Sequence, residues 1–405
     1  LGTRNQELEQ PPRYGSHLNR RPESRIKSIG WPPSIEQSPS TLRDTPRNAR
    51  CPSCLGLRPR FCVWELTLAC NARCVHCGSS AGSPRDAELS TAEALAVVES
   101  LACLGCESVT FSGGEPLLRV DWPILARAVR AAGMRLEMVT NGLVVAAEAA
   151  RIAAADFAAV TLSIDGPAAV HDRLRGVPGG LEGLLEGARL LAAAGTRLGA
   201  VTQINRLNID HLGSIHDLLL RHQFAGWQLQ LTMPHGRAGE HADDLCLVPA
   251  MLPAVEDWLL RFVAEGQLFV QAADNIGYMS RSEPRLRSGG GRSSGRCFLG
   301  CQAGLQVIGI TSDGRIRGCL SLPAQSDEGN VRERSLRDLW TSPDAFAYNR
   351  RFRSEDLGGA CAGCRFARVC RGGCKSLAWA TAGGPYGDGA YCLGRIRGLA
   401  GGQAR

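Results

Sequence analysis

Residues 61–82 read F-C-V-W-E-L-T-L-A-C-N-A-R-C-V-H-C-G-S-S-A-G, and this stretch decides the fold. Residues 61–68 are apolar and β-prone, which predicts a strand. Cys70, Cys74 and Cys77 follow in a C-x3-C-x2-C run. Three thiolates on one loop can hold three corners of a cubane cluster and leave the fourth iron open, whereas a closed structural site needs four protein ligands. The spacing therefore predicts an iron site that binds and reduces a ligand, and the alternative is a zinc knuckle or chance thiols.

Beyond this loop, strand-like and helix-like segments alternate as far as Phe269. The predicted strands are 61–68, 107–112, 135–140, 157–164, 197–204 and 226–232, and the predicted helices are 90–104, 121–132, 145–154, 181–194, 208–222 and 249–265. Ser90 and Glu93 carry the capping-box signature at the start of the first helix. Six β-then-α units predict an α/β fold with a parallel sheet. Six units rather than eight predict a partial (β/α)6 TIM-like barrel, open on one side, with its chemistry at the C-terminal ends of the strands.

Composition divides the sequence into five parts. They are a basic Pro/Arg-rich tail that we expect to be disordered (1–58), the partial barrel (59–280), a Ser/Gly-rich linker (281–296), a small Cys-rich domain (297–395) and a second tail (396–405). Residues 1–60 contain eleven Lys or Arg and five Asp or Glu, so they carry six of the seven net positive charges. Because the rest of the sequence is nearly neutral, we expect no nucleic-acid partner.

The sequence contains 17 cysteines, many of them in C-x2-C and C-x3-C clusters. No secretory signal pattern and no apolar run of membrane-spanning length accompanies them, so metal is a better interpretation than disulfides. We therefore expect a reducing cytoplasm as the location and no membrane partner. Outside the clusters, Cys62, Cys103 and Cys106 lie among apolar residues and are predicted to be core thiols.

Polar and glycine residues follow the later strands. Ser112 to Pro116 read S-G-G-E-P, in which Gly113 and Gly114 allow close backbone approach and the Glu115 carboxylate can accept from an ammonium group. Other candidates for contact with a cofactor at strand ends are Asn141, Ser163, Asp165, Thr202, Gln203 and Asn205, together with the P-H-G-R-A segment at 234–238. The alternative for these residues is ordinary loop capping.

The C-x3-C-x2-C run followed by G-G-E-P resembles the radical S-adenosylmethionine (SAM) enzymes. The resemblance implies that Cys70, Cys74 and Cys77 hold a [4Fe-4S] cluster that binds SAM. It further implies that Gly113, Gly114 and Glu115 bind the methionyl amino group, and that Asn141, Ser163 and Asp165 approach the ribose and carboxylate. The expected reaction is reductive cleavage of SAM to a 5′-deoxyadenosyl radical, which abstracts hydrogen from an unactivated C–H bond.

Cysteine density rises again near the C-terminus. The cysteines in question are Cys297, Cys301, Cys319, Cys361, Cys364, Cys370, Cys374 and Cys392. Their spacing, with Gly314 five residues before Cys319, resembles the SPASM domain of peptide- and protein-maturing radical SAM enzymes. The resemblance implies two auxiliary [4Fe-4S] clusters, one on Cys297, Cys301, Cys319 and Cys374 and the other on Cys361, Cys364, Cys370 and Cys392. The alternative is a pair of zinc sites.

Together these features resemble the sactipeptide, mycofactocin and pyrroloquinoline-quinone maturases. The function this implies is oxidative modification of a ribosomally made peptide or a protein, as a thioether or carbon–carbon crosslink or a decarboxylation. Expected partners are that substrate, a separate leader-binding protein and an external one-electron donor such as flavodoxin or ferredoxin. Formylglycine formation is disfavoured, because Leu320 stands where sulfatase-maturing relatives carry an Asp.

Two alternatives stay open. The first is a radical SAM enzyme acting on a small metabolite or haem precursor. The second is a non-catalytic iron–sulfur electron-transfer protein, which would need neither an open iron nor a G-G-E-P loop.

Overall fold

A ten-stranded sheet organises the residues that this computed structural model describes, 56–288 and 297–399. Its strands are β1 (Phe61–Glu65), β2 (Ser108–Ser112), β3 (Arg135–Thr140), β4 (Ala159–Ser163), β5 (Leu198–Ile204), β6 (Gly226–Leu231), β7 (Phe269–Ala272), β8 (Val307–Ile310), β9 (Arg315–Arg317) and β10 (Gly329–Asn330). The order in the sheet is β10-β9-β8-β1-β2-β3-β4-β5-β6-β7. Strands β1 to β7 are parallel, β8 pairs with β1 in parallel, and β9 and β10 are antiparallel to their neighbours.

Helices cross between the strands and cover the C-terminal segment. They are α1 (Thr91–Cys103), α2 (Trp122–Ala131), α3 (Val145–Ala154), α4 (Ala168–Arg175), α5 (Gly180–Ala193), α6 (Leu212–Arg221), α7 (Arg237–Glu240), α8 (Ala242–Leu245), α9 (Leu252–Glu265), α10 (Glu283–Ser288), α11 (Leu336–Thr341), α12 (Ala347–Arg350), α13 (Ala367–Cys370), α14 (Lys375–Ala382) and α15 (Leu393–Ile396). Single 3₁₀ turns lie at Pro116–Leu118, Ile209–His211, Pro249–Met251, Ala324–Ser326, Ser354–Asp356 and Gly359–Cys361. Among the described helices, none combines the length and apolar character needed to cross a bilayer.

The predicted α/β architecture is confirmed, and the parallel strands explain where the chemistry lies. Because β1 to β7 run in the same direction, the loops that follow them leave the sheet at one edge. The outermost described strands, β7 and β10, do not pair with each other, so the described sheet is open. All loops that carry the predicted site residues of the barrel therefore share one side of the molecule.

Large apolar side chains on the strands form the core beneath this edge. Trp64 of β1 and Phe111 of β2 are at most 1% exposed, and their rings meet edge to face with centroids 6.4 Å apart. Phe157, just before β4, continues the stack at 6.2 Å from Phe111. Burying each of these aromatic side chains contributes about 1.5–3 kcal/mol to the free energy of unfolding.

The first crossover helix begins as the sequence predicts. Ser90 caps α1 by accepting from the Glu93 backbone N–H, and the Glu93 carboxylate accepts from the Ser90 N–H at 2.8 Å. Glu93 also pairs with Arg332 at 2.6 Å, which ties this helix start to the C-terminal segment.

Four features differ from the predictions. The first is β7, whose four residues are too short to give a strand pattern in the sequence. The second is α4, a helix of eight residues that follows β4. The third is the predicted linker 281–296, which begins as helix α10 because Leu286 is buried and Glu283 pairs with Arg287 at 2.7 Å. The fourth is Cys103, predicted to be core but exposed at the C-terminal end of α1, whereas Cys62 and Cys106 are buried as predicted.

The C-terminal segment also contributes to the main sheet instead of forming a sheet of its own. Phe61 of β1 lies opposite Ser108 of β2 on one side and Val307 of β8 on the other. Ile308 and Ile310 of β8 are fully buried against the common core. The rest of the two predicted tails and of the linker lies outside the described residues. These parts are 1–55, 289–296 and 400–405.

Candidate active site

The loop with Cys70, Cys74 and Cys77 leaves the sheet at the end of β1 and is fixed by backbone hydrogen bonds on two sides. The Cys70 N–H donates to the Gly82 carbonyl at 2.9 Å, so the loop closes on itself. The Val75 N–H donates to the Leu174 carbonyl at 3.0 Å, near the end of α4. A loop held at both points presents its three thiols in a set arrangement.

The three thiols differ in burial and in acidity. Cys74 is buried, while Cys70 and Cys77 are half-buried. Burial raises the pKa of Cys70 and of Cys74. Burial acts in the same direction at Cys77, but hydrogen bonds from Ser79 and Ala81 and the charge of Arg237 outweigh it and lower the pKa of that thiol. Cys77 is therefore the thiol of the three that ionises most readily.

Two polar side chains approach the sulfur atoms, Asn141 from the end of β3 and Arg175 from the end of helix α4. The Asn141 amide lies with Nδ2 3.6 Å from Cys70 Sγ and donates to Asn71 Oδ1 at 2.8 Å. The Arg175 guanidinium lies with Nη1 3.8 Å from Cys74 Sγ. Donors and positive charge beside thiolates stabilise the ionised form that ligates metal. The donor set around the loop thus fits an iron–sulfur cluster.

Behind the loop lies a buried ionic network centred on Asp165. This carboxylate has no exposed surface, and its Oδ2 atom accepts from Arg175 Nε at 2.7 Å. His76 Nε2 lies 3.2 Å from the same oxygen, and Oδ1 accepts from the Gln203 backbone N–H at 2.9 Å. Although burial opposes ionisation, the charges of Arg175 and His76 hold the pKa of Asp165 well below its usual range. Asp165 therefore acts within the protein, as the anchor of Arg175 behind Cys74.

Gly113 and Gly114 press directly on the backbone that leads into the cysteine loop. The Gly114 N–H donates to the Thr67 carbonyl at 2.8 Å. A Cβ atom at Gly114 would stand 2.3 Å from the Ala69 carbonyl oxygen, and one at Gly113 would stand 2.4 Å from the Thr67 carbonyl oxygen. Only glycine fits at such an approach, so these two residues set the distance between the first two loops.

The Glu115 carboxylate points into the protein. It is fully buried and accepts from Thr140 Oγ1 at 2.8 Å, from the Leu117 N–H at 3.1 Å and from the Asn141 N–H at 2.8 Å. Burial raises the pKa of Glu115 to about 7, although these hydrogen bonds oppose the shift. The carboxylate therefore links the second strand end to the third and positions Asn141.

The segment 234–238 connects the cysteine loop to the C-terminal region. Arg237 donates from Nε to the Cys74 carbonyl at 2.9 Å. His235 Nε2 lies 3.3 Å from the Ser376 carbonyl oxygen, two residues beyond Cys374. The loop after β6 thus contacts both cysteine-bearing regions.

The C-terminal cysteines fall into two groups. Five of them, Cys361, Cys364, Cys370, Cys374 and Cys392, line one cavity. Burial and the proximity of Cys392 raise the pKa of Cys361 to about 11 and that of Cys370 to about 12. Buried thiols that raise one another's pKa stay protonated at neutral pH. A bound metal compensates the negative charge and allows them to ionise.

Cys374 belongs electrostatically to a different group. Burial, followed by the nearby Cys301 and Cys319, raises its pKa far above the ordinary value. Cys297 is exposed, and its pKa is raised by burial and by Glu283 rather than by another cysteine. Seven of the eight C-terminal cysteines thus act on one another as a set of four and a set of three, whereas the resemblance implies two sets of four, with Cys297 as the fourth member of the smaller set.

Neither of the two groups of C-terminal cysteines resembles a site for a single metal ion. Within 56–288 and 297–399, no three His, Cys, Asp or Glu side chains converge as ligands of one metal ion. In a cubane cluster each thiolate binds a different iron. Such a cluster therefore requires a wider arrangement of sulfur atoms.

Two of the three remaining candidates, Thr202 and Asn205, form hydrogen bonds within the protein. Ser163, the last residue of β4, is 8% exposed. Thr202 is fully buried, donates to the Ile164 carbonyl and accepts from Trp227 Nε1, while Asn205 is fully buried and accepts from the Leu207 N–H at 3.0 Å. Thr202 and Asn205 are thus structural, which is the capping alternative.

Sequence reasoning missed three residues of the buried network around Asp165. They are His76, His171 and Arg175. His171 Nδ1 accepts from the Asp165 N–H at 3.2 Å, and burial lowers its pKa to about 4. His76 had a signal, because it lies between two predicted ligands, Cys74 and Cys77. Arg175 had none, since it ends a helix that the sequence pattern does not indicate.

Comparisons with known proteins agree with this geometry. Residues 64–219 match the family described as the radical SAM superfamily, and residues 301–365 match the SPASM family, an iron–sulfur cluster-binding domain. The chain is 30% identical over 347 residues to the AdoMet-dependent heme synthase of Methanosarcina barkeri, covering 83% of this chain and 97% of that protein. It is also 30% identical over 356 residues to the mycofactocin maturase MftC of Mycolicibacterium smegmatis, covering 86% and 84%. Its fold resembles that of Streptococcus suis SuiB bound to S-adenosylmethionine, with a TM-score of 0.64 at 16% identity over 83% of this chain and 77% of that one.

Proposed function

Because this chain belongs to the radical SAM superfamily and carries a SPASM domain, we propose that Cys70, Cys74 and Cys77 bind the [4Fe-4S] cluster at which SAM is cleaved. The observation that supports this assignment is the packing of Gly113 and Gly114 onto the start of the cysteine loop. The protein is a radical SAM enzyme whose cofactors are SAM and iron–sulfur clusters. When bound, these groups supply a 5′-deoxyadenosyl radical and accept or deliver single electrons.

The residues around the loop would hold SAM in three ways. Gly113 and Gly114 would offer backbone carbonyls to the methionyl ammonium group, and Glu115 would offer its Oε2 atom, which among the residues that the structure describes accepts only from the Asn141 N–H. Asn141 donates to Cys70 Sγ and borders the same space, as does Ser163 at the end of β4. Asp165 contributes as a positioning residue through Arg175.

The C-terminal cysteines would hold two auxiliary [4Fe-4S] clusters. One takes Cys361, Cys364, Cys370 and Cys392, and the other takes Cys301, Cys319 and Cys374 with Cys297 as the fourth ligand. Clusters held by these residues would supply an acceptor for one electron from the substrate.

For the substrate, we propose a tetrapyrrole, a precursor of haem. Support comes from the relative named as a heme synthase, because the alignment with this protein spans nearly all of that relative's length and leaves no domain of it without a counterpart. Oxidation at a C–H bond on a substituent of such a precursor needs hydrogen abstraction and loss of one electron, after which the substituent loses a proton or, from a carboxylate, CO2. Bound SAM and the clusters would supply the hydrogen acceptor and the electron acceptor that this oxidation needs.

A peptide is the second candidate substrate. It is favoured by the relative named mycofactocin maturase, which aligns over a similar length at equal identity. In that case the product is a crosslinked or decarboxylated peptide. An external one-electron donor, flavodoxin or ferredoxin in type, would serve either substrate.

Anaerobic reconstitution with iron and sulfide tests whether the protein binds the clusters and cleaves SAM. We expect about twelve irons per protein molecule, corresponding to three four-iron clusters, and release of 5′-deoxyadenosine from SAM in the presence of dithionite. Cys70→Ala should abolish that release and remove about four irons. Cys103→Ala, at an exposed thiol outside both groups, is the matched control and should change neither. Unchanged SAM cleavage in Cys70→Ala would disprove the assignment.

Product analysis then separates the two substrates. The enzyme is incubated with SAM and dithionite and with either an iron coproporphyrin or the short peptides encoded beside its gene. We expect mass loss from the porphyrin together with faster 5′-deoxyadenosine formation. A mass change in a peptide, with an unaltered porphyrin, would favour the peptide instead.

A further inference from the structure

Two buried cations, Arg371 and Lys375, lie on either side of Cys374 in the sequence. Lys375 is fully buried and Arg371 is 8% exposed. Their side chains donate to backbone carbonyls, Lys375 Nζ to Arg371 at 2.7 Å and Arg371 Nη2 to Asn349. No carboxylate pairs with either cation in the part of the protein that the structure describes. Burying two positive charges without an anion is strongly unfavourable. We therefore expect a negatively charged group to bind beside them.

Arg371 is fixed against the loop that carries Cys301. The Asn349 carbonyl that accepts from Arg371 belongs to a fully buried residue, whose amide donates to the Cys301 carbonyl at 3.1 Å. The Arg371 stem also packs on Gly300, where a Cβ atom would stand 2.7 Å from Arg371 Cδ. The guanidinium therefore cannot turn away from the Cys301 loop.

Aromatic rings separate both cations from solvent. Lys375 Nζ lies 4.3 Å from the centre of the Tyr386 ring and 5.2 Å from that of Phe352. Arg371 Cζ lies 5.1 Å from the centre of the Phe352 ring. The charges thus stay in a medium of low dielectric constant, where they act strongly on any nearby charge.

Cysteines flank both cations. Arg371 directly follows Cys370, and Lys375 directly follows Cys374 at the start of α14. Through Asn349, Arg371 is also held against the loop of Cys301. In the free thiol form these cysteines are neutral, whereas a cluster ligated by four thiolates carries net negative charge.

We propose that Arg371 and Lys375 form a buried cation pair that compensates the charge of the auxiliary cluster on Cys301, Cys319 and Cys374 and raises its reduction potential. The inference rests on the cluster assignment of the proposed function. Reduction adds one electron to the cluster, and no bond is formed or broken. The added negative charge is stabilised by both cations, which makes this cluster the better acceptor of the electron that the substrate radical gives up.

The test is a potentiometric titration of the full-length protein, with dithionite as reductant and electron paramagnetic resonance as readout. Carrying it out in the Cys70→Ala/Cys74→Ala/Cys77→Ala background leaves only the C-terminal clusters to respond. We expect Lys375→Met and Arg371→Gln each to make reduction of one of the two clusters at least about tenfold less favourable, a shift of about 59 mV to lower potential. The second cluster should shift less and serves as an internal reference.

Two variants control for the loss of a side chain. Lys375→Arg keeps the charge and should keep the potential, and Arg368→Gln removes an exposed charge from the neighbouring helix α13 and should also leave it unchanged. Equal potentials in Lys375→Met, Arg371→Gln and the parent would overturn the inference while leaving the proposed function intact. If Lys375→Met loses a cluster, retention of that cluster by Lys375→Arg supports the charge requirement, and its loss there as well overturns it. A background protein without about eight irons would overturn both proposals.

Discussion

At the scale of single residues, Gly114 has the most restricted position in the site. We expect Gly114→Ala to displace the cysteine loop, because the new Cβ atom would stand 2.3 Å from the Ala69 carbonyl oxygen. A displacement of about 1 Å at a reacting centre costs about a hundredfold in rate, so 5′-deoxyadenosine formation should fall by that factor. Gly183→Ala is the matched control, because its Cβ atom would meet nothing within 4 Å on helix α5. It should raise stability by about 1 kcal/mol and leave SAM cleavage unchanged.

Glu115 should make stability depend on pH. Its pKa is about 7 in the folded protein because of burial, against about 4.3 in an unfolded chain. The folded state therefore holds a proton that the unfolded state has lost between these values, so the contribution of Glu115 to stability declines as pH rises from about 4 to about 7. Chemical denaturation at several pH values, compared with Glu115→Gln, measures the difference. A constant difference between the two proteins across that range would contradict the expectation.

The residue scale also shows what sequence reasoning could reach. Cys70, Cys74 and Cys77 were recognisable because they lie on one short loop in a C-x3-C-x2-C spacing directly after a predicted strand. The direction of the Glu115 carboxylate was not, since it depends on donors from Thr140 and Asn141 in another loop.

At the scale of elements, helix α4 holds the site together. It contributes the Leu174 carbonyl that binds Val75 and the Arg175 side chain that joins Asp165 behind Cys74. The helix has only eight residues, and its sequence A-A-V-H-D-R-L-R carries too weak an apolar pattern to be recognised alone. Helices α5 and α9 were predictable because each has 14 residues and a clear apolar face.

Breaking the Asp165–Arg175 pair should therefore damage both stability and metal binding. In Asp165→Asn the buried guanidinium loses its anion, which costs about 3–5 kcal/mol. We expect a lower denaturation midpoint and a lower iron content after reconstitution. Glu186→Gln, which breaks an exposed ion pair with Arg189 on α5, is the control and should leave both quantities unchanged. A wild-type midpoint in Asp165→Asn would show that the network does not stabilise the fold.

At the scale of the whole molecule, the C-terminal segment is part of the barrel sheet. The predicted division at residues 281–296 follows composition, but composition does not indicate strand pairing between distant segments. Strand β8 pairs with β1 across more than half of the sequence, and β9 and β10 extend the sheet from there. The number of βα units was readable from local patterns, whereas this long-range pairing was not.

Removal of the C-terminal segment should consequently disrupt the barrel. A protein truncated after Ser288 loses β8, which exposes the edge of β1 and the core surface that Ile308 and Ile310 cover. We expect this truncated protein to aggregate and to lose cooperative unfolding, as measured by size-exclusion chromatography and circular dichroism. A monomeric truncated protein that retains about four irons would show that the barrel folds independently.

The position of β8 beside β1 has a consequence for how the protein is made. Synthesis proceeds from the N-terminus, so β1 and its cysteine loop leave the ribosome long before their second neighbouring strand exists. Pairing at such sequence separation forms slowly, because a long loop must close first. We expect the loop at the end of β1 to stay accessible to iron–sulfur assembly factors throughout translation and to become enclosed only when the last cysteine-rich segment emerges. The strand order thus determines the period during synthesis in which iron–sulfur clusters can be inserted into this loop.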